Sequence, residues 1–354
     1  MTETLRVISG GAQTTVQDAG RPGALQHGVP WGGAMDHFAL AVANRLVGNQ
    51  PGAAGLEILL GAVAFEVLRP TLLALTGATF GATWNDVPLP GWTTVLARPG
   101  DQIALSARRG GWGARAYLAV GGGVAVAPVL GSRSTYLPGR FGGLEGRPLR
   151  AGDVVSGGRA TDGPIARTVH HRDAEDAESN LFLFSTFTAL AGQHWSPELR
   201  PPYGPTPTLR YLPGPHQACF DPGAPAALAG TQLRVSEHAN RIGYRLEGVR
   251  LGYKGEVSLP SLGVIPGVIQ VPPDGAPILL MADAQTTGGY PIIGVVISPD
   301  LPLAAQLLPG DSLRLRPVSE QEALAARRAF VAWCAAEPRR DETLMQLGLA
   351  GALG

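Results

Sequence analysis

The run Asp283-Ala284-Gln285-Thr286-Thr287-Gly288-Gly289-Tyr290 sets a carboxylate, an amide, two hydroxyls and a phenol around a Gly pair. The glycines allow positive φ or a close backbone approach. A plain hairpin needs only a short Asn-Gly or Gly-Gly turn, so this connection carries more chemistry than joining two strands requires. It reads either as an ordinary solvated loop or as polar groups held at the ends of rigid strands, a common way to build a site. Other clusters have the same ambiguity. Asp18 and Arg21 stand three apart in a loop-like segment, as a local pair pinning the turn or as part of a site. Leu130-Gly131-Ser132-Arg133-Ser134-Thr135-Tyr136 gathers hydroxyls around one Arg, a pattern that suits an anion or a capped structural turn. Arg241 and Arg245, four apart in an extended run, would share one face. Two guanidiniums there invite a carboxylate or phosphate, unless Glu237 or Glu247 takes them up. His170-His171 beside carboxylates has no metal-ligand spacing, because adjacent side chains do not face one another, and reads as a solvated charged loop.

The elements that would position these groups are mostly strands. Ile278–Met281 and Ile292–Ile297 flank the Asp283–Tyr290 connection as apolar runs of the kind buried on both faces. Strands are expected at Leu5–Ile8, Glu57–Leu60, Ala64–Val67, Thr71–Leu75, Thr93–Leu96, Gln102–Ser106 and Ala116–Val120. After a change of character, more follow at Leu209–Leu212, Gln232–Val235 and Asn240–Gly248. The turns at Arg98–Asp101, Arg150–Asp153 and Leu308–Asp311 follow one logic, a Gly-Asp pair with a strand starting at once, though such turns are common. A helix is expected from about Asp36, as N-cap or first-turn anion, to Val47, with Ala39, Val42, Ala43 and Leu46 as its buried stripe. A second opens on the capping box Ser319–Glu322 and runs to about Ala336, with Leu324, Val331 and Cys334 on or near its apolar face. The expected organisation is a β-rich domain over 1–160, a linker or insertion over 161–207, a second β domain over 208–318, and a helix and tail over 319–354.

Composition narrows the class. With 354 residues, 49 Gly, 31 Pro, 45% hydrophobic and 16% charged residues, the chain reads as a compact, turn-rich β protein of about two domains rather than a disordered one. Its formal net charge of +0 gives a nucleic-acid partner no electrostatic support. Lys254 is the sole lysine, so the positive charge is almost all Arg, which suits bidentate anion recognition but also follows from codon bias. Cys219 and Cys334 form no CxxC, and no signal peptide or membrane span is expected, so a soluble cytoplasmic protein is the default. There is no P-loop, GxGxxG unit, HExxH or GxSxG elbow. Lys254 lacks the flanking methionines of a biotin attachment site, so no covalently attached biotin is expected. Spacing alone supports a cleft lined by Arg, Thr, Gln and Asp, and no specific reaction.

Several motifs together go further. Thr14-Thr15-Val16-Gln17-Asp18, Gly20-Arg21-Pro22-Gly23, Gly33-Ala34-Met35-Asp36, Leu56-Glu57-Ile58, Leu130-Gly131-Ser132-Arg133-Ser134-Thr135 and Gln285-Thr286-Thr287-Gly288-Gly289-Tyr290-Pro291 occur in order. The chain closely resembles the KipA family over roughly residues 4 to 318, departing from it at 157–207 and in the tail. Members are called the C subunit of 5-oxoprolinase, biotin-dependent carboxyltransferase-like, or allophanate hydrolase subunit 2. The resemblance implies a mainly β fold with a few helices, built as two cyclophilin-like β-barrel units. It implies two partner polypeptides, one KipI-like (the B subunit) and one LamB/YcsF-like (the A subunit). Together they would form an ATP-dependent 5-oxoprolinase that opens 5-oxo-L-proline to L-glutamate, with the ATP-holding subunit undetermined. For a small carboxylate substrate, Arg133, Arg241 and Arg245 are candidate clamps. Gln270, Gln285, Thr286, Thr287 and Tyr290 are candidates for orienting it, and Asp283 and Asp18 for handling protons. No metal is implied. Two other roles stay open: a urea-carboxylase-type carboxyltransferase served by a separate biotin carrier, and a non-catalytic regulator that binds a KipI-like kinase inhibitor.

Overall fold

A computed structural model of the chain describes residues 2–158, 190–255 and 257–340. His170-His171, the polar stretch around them and the tail from Asp341 lie outside the described residues. The fold is mostly β. In the first half, six strands lie in the spatial order Val154–Gly157, Thr2–Gly10, Val63–Val67, Gln102–Leu105, Thr83–Trp84 and Val87–Pro88. A second sheet runs Gln13–Gln17, Gly55–Leu59, Arg115–Val120, Thr71–Gly77, Thr93–Ala97, Gln193–His194 and Arg339–Arg340. Leu5, Phe65 and Ile103 from the first sheet and Leu56, Leu73 and Leu118 from the second share one core. Strand Thr71–Gly77 is buried along its whole length. Its other face, with Leu72 and Ala74, packs beneath helix α1 (His37–Leu46). Asp36 caps α1 by accepting from the Ala39 N–H at 2.9 Å, and Ala39, Val42, Ala43 and Leu46 are fully buried, as their spacing predicts.

The second half closes into a barrel in the order Thr208–Pro213, Ile292–Val296, Val268–Gln270, Ile278–Leu280, Gly243–Glu247, Leu233–Val235 and Ser312–Pro317. The two apolar runs around Asp283–Tyr290 are the strands expected, but they are not neighbours. Val268–Gln270 pairs with both and lies between them. Their connection therefore crosses the end of a third strand, which is why it is longer than a hairpin turn. Short helices α2 (Ala224–Gly230) and α3 (Leu301–Ala305) pack on the barrel, and α4 (Glu320–Ala335), with its capping box formed, bridges the halves by packing against α1 and against strand Thr208–Pro213 of the barrel. Of the apolar face expected for α4, Cys334 does pack against α1 and its neighbours, together with Phe330 and Trp333, whereas Leu324 and Val331 are exposed.

The three Gly-Asp turns are one module. In each, the Asp carboxylate accepts from the backbone N–H three residues earlier, at 2.8, 2.7 and 2.9 Å for Asp101, Asp153 and Asp311. Each Gly takes a φ of 89–90°. Each Gly-Asp pair also exchanges two backbone hydrogen bonds with a valine, Val67, Val7 and Val235 respectively.

Candidate active site at the seam between the halves

Glu57 sits on strand Gly55–Leu59 directly across from Tyr117, and the Tyr117 hydroxyl donates to Glu57 Oε2 at 2.7 Å. The Met35 N–H donates to the same oxygen at 2.8 Å. Glu57 Oε1 meets Arg241 Nη1 from the barrel half at 2.6 Å. Arg241 also grips Asp283 through Nε (2.8 Å) and Nη2 (3.0 Å), and Nη2 donates to the Gly33 carbonyl at 2.6 Å. All of these side chains are buried. Burial alone would lower the Arg241 pKa, but Asp283 and Glu57 outweigh it and drive it up. A second strut joins the halves: Gln306 Oε1 accepts from the Ala114 and Arg115 N–H groups at 3.0 Å, and its Nε2 donates to Asp36 Oδ2 at 2.8 Å.

Beside this seam, loops from both halves converge. Asp18 follows strand Gln13–Gln17, and its carboxylate is a hub. Oδ1 accepts from the Ser132 hydroxyl (2.7 Å), the Ser134 hydroxyl (2.5 Å) and the Gly20 N–H (2.8 Å), and Oδ2 from the Arg133 N–H (2.6 Å). The expected Asp18–Arg21 ion pair does not form, because these four donors take the carboxylate instead. With both oxygens engaged, Asp18 orders the Ser132–Ser134 loop and is poorly placed to exchange protons.

Arg21 is the residue that spacing did not single out as a ligand. It is only 2% exposed, its Nη2 donates to the Ser134 carbonyl at 2.5 Å, and its guanidinium lies 5.1 Å from the Phe141 ring centre. Nε and Nη1 are buried with no hydrogen-bond partner. Burial lowers the Arg21 pKa, against the pull of Asp18 and Asp283, with Arg241 adding to the lowering. Space is kept open next to it by Gly32, at φ +66°, where a Cβ would lie 3.0 Å from Arg21 Nη1 and 3.8 Å from Asp283 Oδ1. Tyr136 lies close enough that burial and the Asp283 charge raise its pKa. An underpaired cation, a fixed carboxylate and a phenol thus meet around a glycine gap. Such a set can hold a small anion and orient a polar group next to it. The only sequence signal was Arg21's place within Gly20-Arg21-Pro22-Gly23; its burial follows from loops more than a hundred residues away.

The other candidates fall into groups. Gln270 is buried, accepts from Gln285 Nε2 at 3.2 Å and donates to the Tyr290 carbonyl at 3.5 Å, so these three cluster at the rim of the Asp283 loop. Thr286 and Thr287 belong to a small flap, where the Thr286 carbonyl accepts from Val264 N–H and Thr287 pairs with Gly263. Arg133 touches the site only through its backbone; its Nε donates to the Val126 carbonyl at 3.0 Å. Arg241 and Arg245 do not present a common face. Arg241 turns into the seam, and Arg245 pairs with Asp274 at 2.5 Å on the outer wall. Among the described residues no group of three or more His, Cys, Asp and Glu can hold a metal, and no helix is long and apolar enough to cross a membrane. A large cleft lies elsewhere and includes none of these candidate residues.

Residues 27–317 match the family model described as carboxyltransferase domain, subdomain A and B. The chain is 39% identical over 325 residues to the 5-oxoprolinase C subunit of Escherichia coli (strain K12), covering 92% of this chain and 94% of that one. It is 31% identical over 337 residues to the urea amidolyase of Lachancea kluyveri, covering 90% of this chain and 17% of the relative. The crystal structure of the K. lactis urea amidolyase superposes with a TM-score of 0.79 at 27% identity, over 95% of this chain and 20% of that one.

Proposed function

Because this chain belongs to the carboxyltransferase domain, subdomain A and B, family, we propose that it is the C-type subunit of a cytoplasmic ATP-dependent 5-oxoprolinase. With KipI-like and LamB/YcsF-like companions it opens 5-oxo-L-proline to L-glutamate. The E. coli 5-oxoprolinase C subunit matches along nearly the whole of both chains, whereas the urea amidolyase match occupies a small part of a longer protein. The geometric observation that carries a small carboxylate substrate is Arg21, a buried guanidinium with two nitrogens, Nε and Nη1, left unpartnered. In this reading Arg21 receives the substrate carboxylate. Asp283, fixed by Arg241, faces the lactam N–H, and Tyr136 and the Gln270–Gln285 pair border the remainder. ATP, spent by the complex, activates the amide oxygen so that water can open the ring.

The test is co-expression with the two companion polypeptides and assay of ATP-dependent glutamate release from 5-oxoproline. The assembled complex turns over and the chain alone does not; turnover by the isolated chain, or none by the complex, defeats the proposal. A second reading, carboxyl transfer from a biotinyl carrier, is favoured by the likeness to urea amidolyases. It predicts instead that the chain retains a biotinylated protein and is inactive toward 5-oxoproline in any combination.

A further inference from the structure

A cleft of about 1030 Å³ opens between the first-half sheets and the segment 197–203, away from Arg21 and Asp283. Three guanidiniums line it, Arg108, Arg109 and Arg200, against one carboxylate, Glu198. That carboxylate is already engaged by Arg339 at 3.0 Å. Arg200 is held in place by two hydrogen bonds to the Trp195 carbonyl and lies 4.6 Å from the Trp92 ring centre. Arg108 is steadied by the Gly111 carbonyl at 2.6 Å and by Asp311 at 3.5 Å. Arg109 is exposed and pairs with no described carboxylate. The cleft is therefore an electropositive recess with pre-positioned donors.

It also has an aromatic platform. The Trp112 ring stacks on Tyr203 with centroids 5.6 Å apart and an interplanar angle of 12°, and Trp112 remains 41% exposed. Tyr203 cannot easily give way, because its hydroxyl donates to the buried Asp36 Oδ2 at 2.9 Å and Trp92 lies 6.1 Å behind its ring. A simple inorganic anion would use the arginines and leave the indole idle. A neutral aromatic molecule would do the reverse.

We propose that this cleft binds a nucleoside polyphosphate, its base stacked on Trp112 and its phosphates held by Arg108, Arg109 and Arg200. Base stacking on an aromatic side chain strengthens binding by about tenfold or more, and Arg is the side chain best shaped for phosphate oxygens. The inference stands on the cleft alone and needs neither the companion polypeptides nor amide opening.

The experiment is calorimetric titration of the full chain, at physiological salt, with ATP, tripolyphosphate, adenosine and an oligo-glutamate peptide. ATP is expected to saturate one site, with tripolyphosphate and adenosine each about tenfold weaker or worse. Trp112→Leu should weaken ATP about tenfold and leave tripolyphosphate unchanged, while Arg109→Gln should weaken both; melting curves of the two variants verify that they fold. Four outcomes overturn the proposal: no saturable ATP binding, ATP and tripolyphosphate binding equally well, ATP binding indifferent to both substitutions, or the acidic peptide binding in preference. Because no turnover is measured, failure here is separate from failure of the 5-oxoprolinase reading.

Discussion

Two buried arginines near Asp283 have opposite roles, and their hydrogen bonds decide which is which. Arg241 directs its N–H groups at Asp283, Glu57 and the Gly33 carbonyl, so it is a rivet between the halves and is not free to clamp substrate. Removing one member of a buried ion-pair network strands the other charges, so Arg241→Met should destabilise the chain by about 3–5 kcal/mol in urea denaturation. Arg21 has one hydrogen bond and two unpartnered nitrogens. Its truncation removes little and relieves an underpaired charge. Arg21→Met should therefore change stability by less than about 1 kcal/mol while abolishing glutamate release by the assembled complex. A large stability loss in Arg21→Met with normal turnover would make it structural and leave the proposed carboxylate site without its anchor. The residue types were legible in the sequence; their partners were not, since Glu57 lies 184 positions from Arg241.

At the scale of elements, most strands and both long helices could be read from apolar periodicity and capping residues, because burial on a sheet or beneath a helix imposes a local pattern. What periodicity could not supply was adjacency. Strand Val268–Gln270 lies between the two runs that flank Asp283–Tyr290, so their connection is a crossing loop able to reach the other half, and the sequence marked it only as richer than a hairpin turn needs. The Gly-Asp turns look like commonplace punctuation in sequence, yet the structure gives all three the same carboxylate bond, the same valine pairing and the same glycine φ. Added methyls at Gly100 and Gly152 would meet nothing within 4 Å, and at Gly310 only Arg234 Nη2 at 3.6 Å. The cost of Ala is therefore conformational. Gly100→Ala, Gly152→Ala and Gly310→Ala should each lose a similar amount, about 1–2 kcal/mol. Denaturant midpoints of the three single variants check this, and one variant well apart from the others breaks the equivalence.

For the molecule as a whole, the start of α1 is where the seam, α4 and the first half meet, and two neighbouring residues there titrate in opposite senses. Burial raises the Asp36 pKa from 3.8 to about 6, despite hydrogen bonds from Ala39, Gln306 and Tyr203. Burial, helped by Arg327, lowers the His37 pKa from 6.5 to about 4. For Asp36 the folded state binds its proton more tightly than the unfolded one, so that contribution is full below pH 3.8 and is lost as pH rises through about 6. For His37 the folded state binds its proton more weakly, so that contribution is full above pH 6.5 and is lost as pH falls through about 4. Over pH 4–6 the two slopes oppose each other and largely cancel in the native chain. His37→Phe keeps a ring against Phe330, whose centroid lies 5.4 Å from that of His37, and deletes one of the two slopes. Urea midpoints of the variant should therefore fall between pH 4 and 6 more steeply than those of the native chain. Parallel midpoints across that range would mean that the charge state of this junction does not couple to folding, and that Asp36 is held ionised by its three donors.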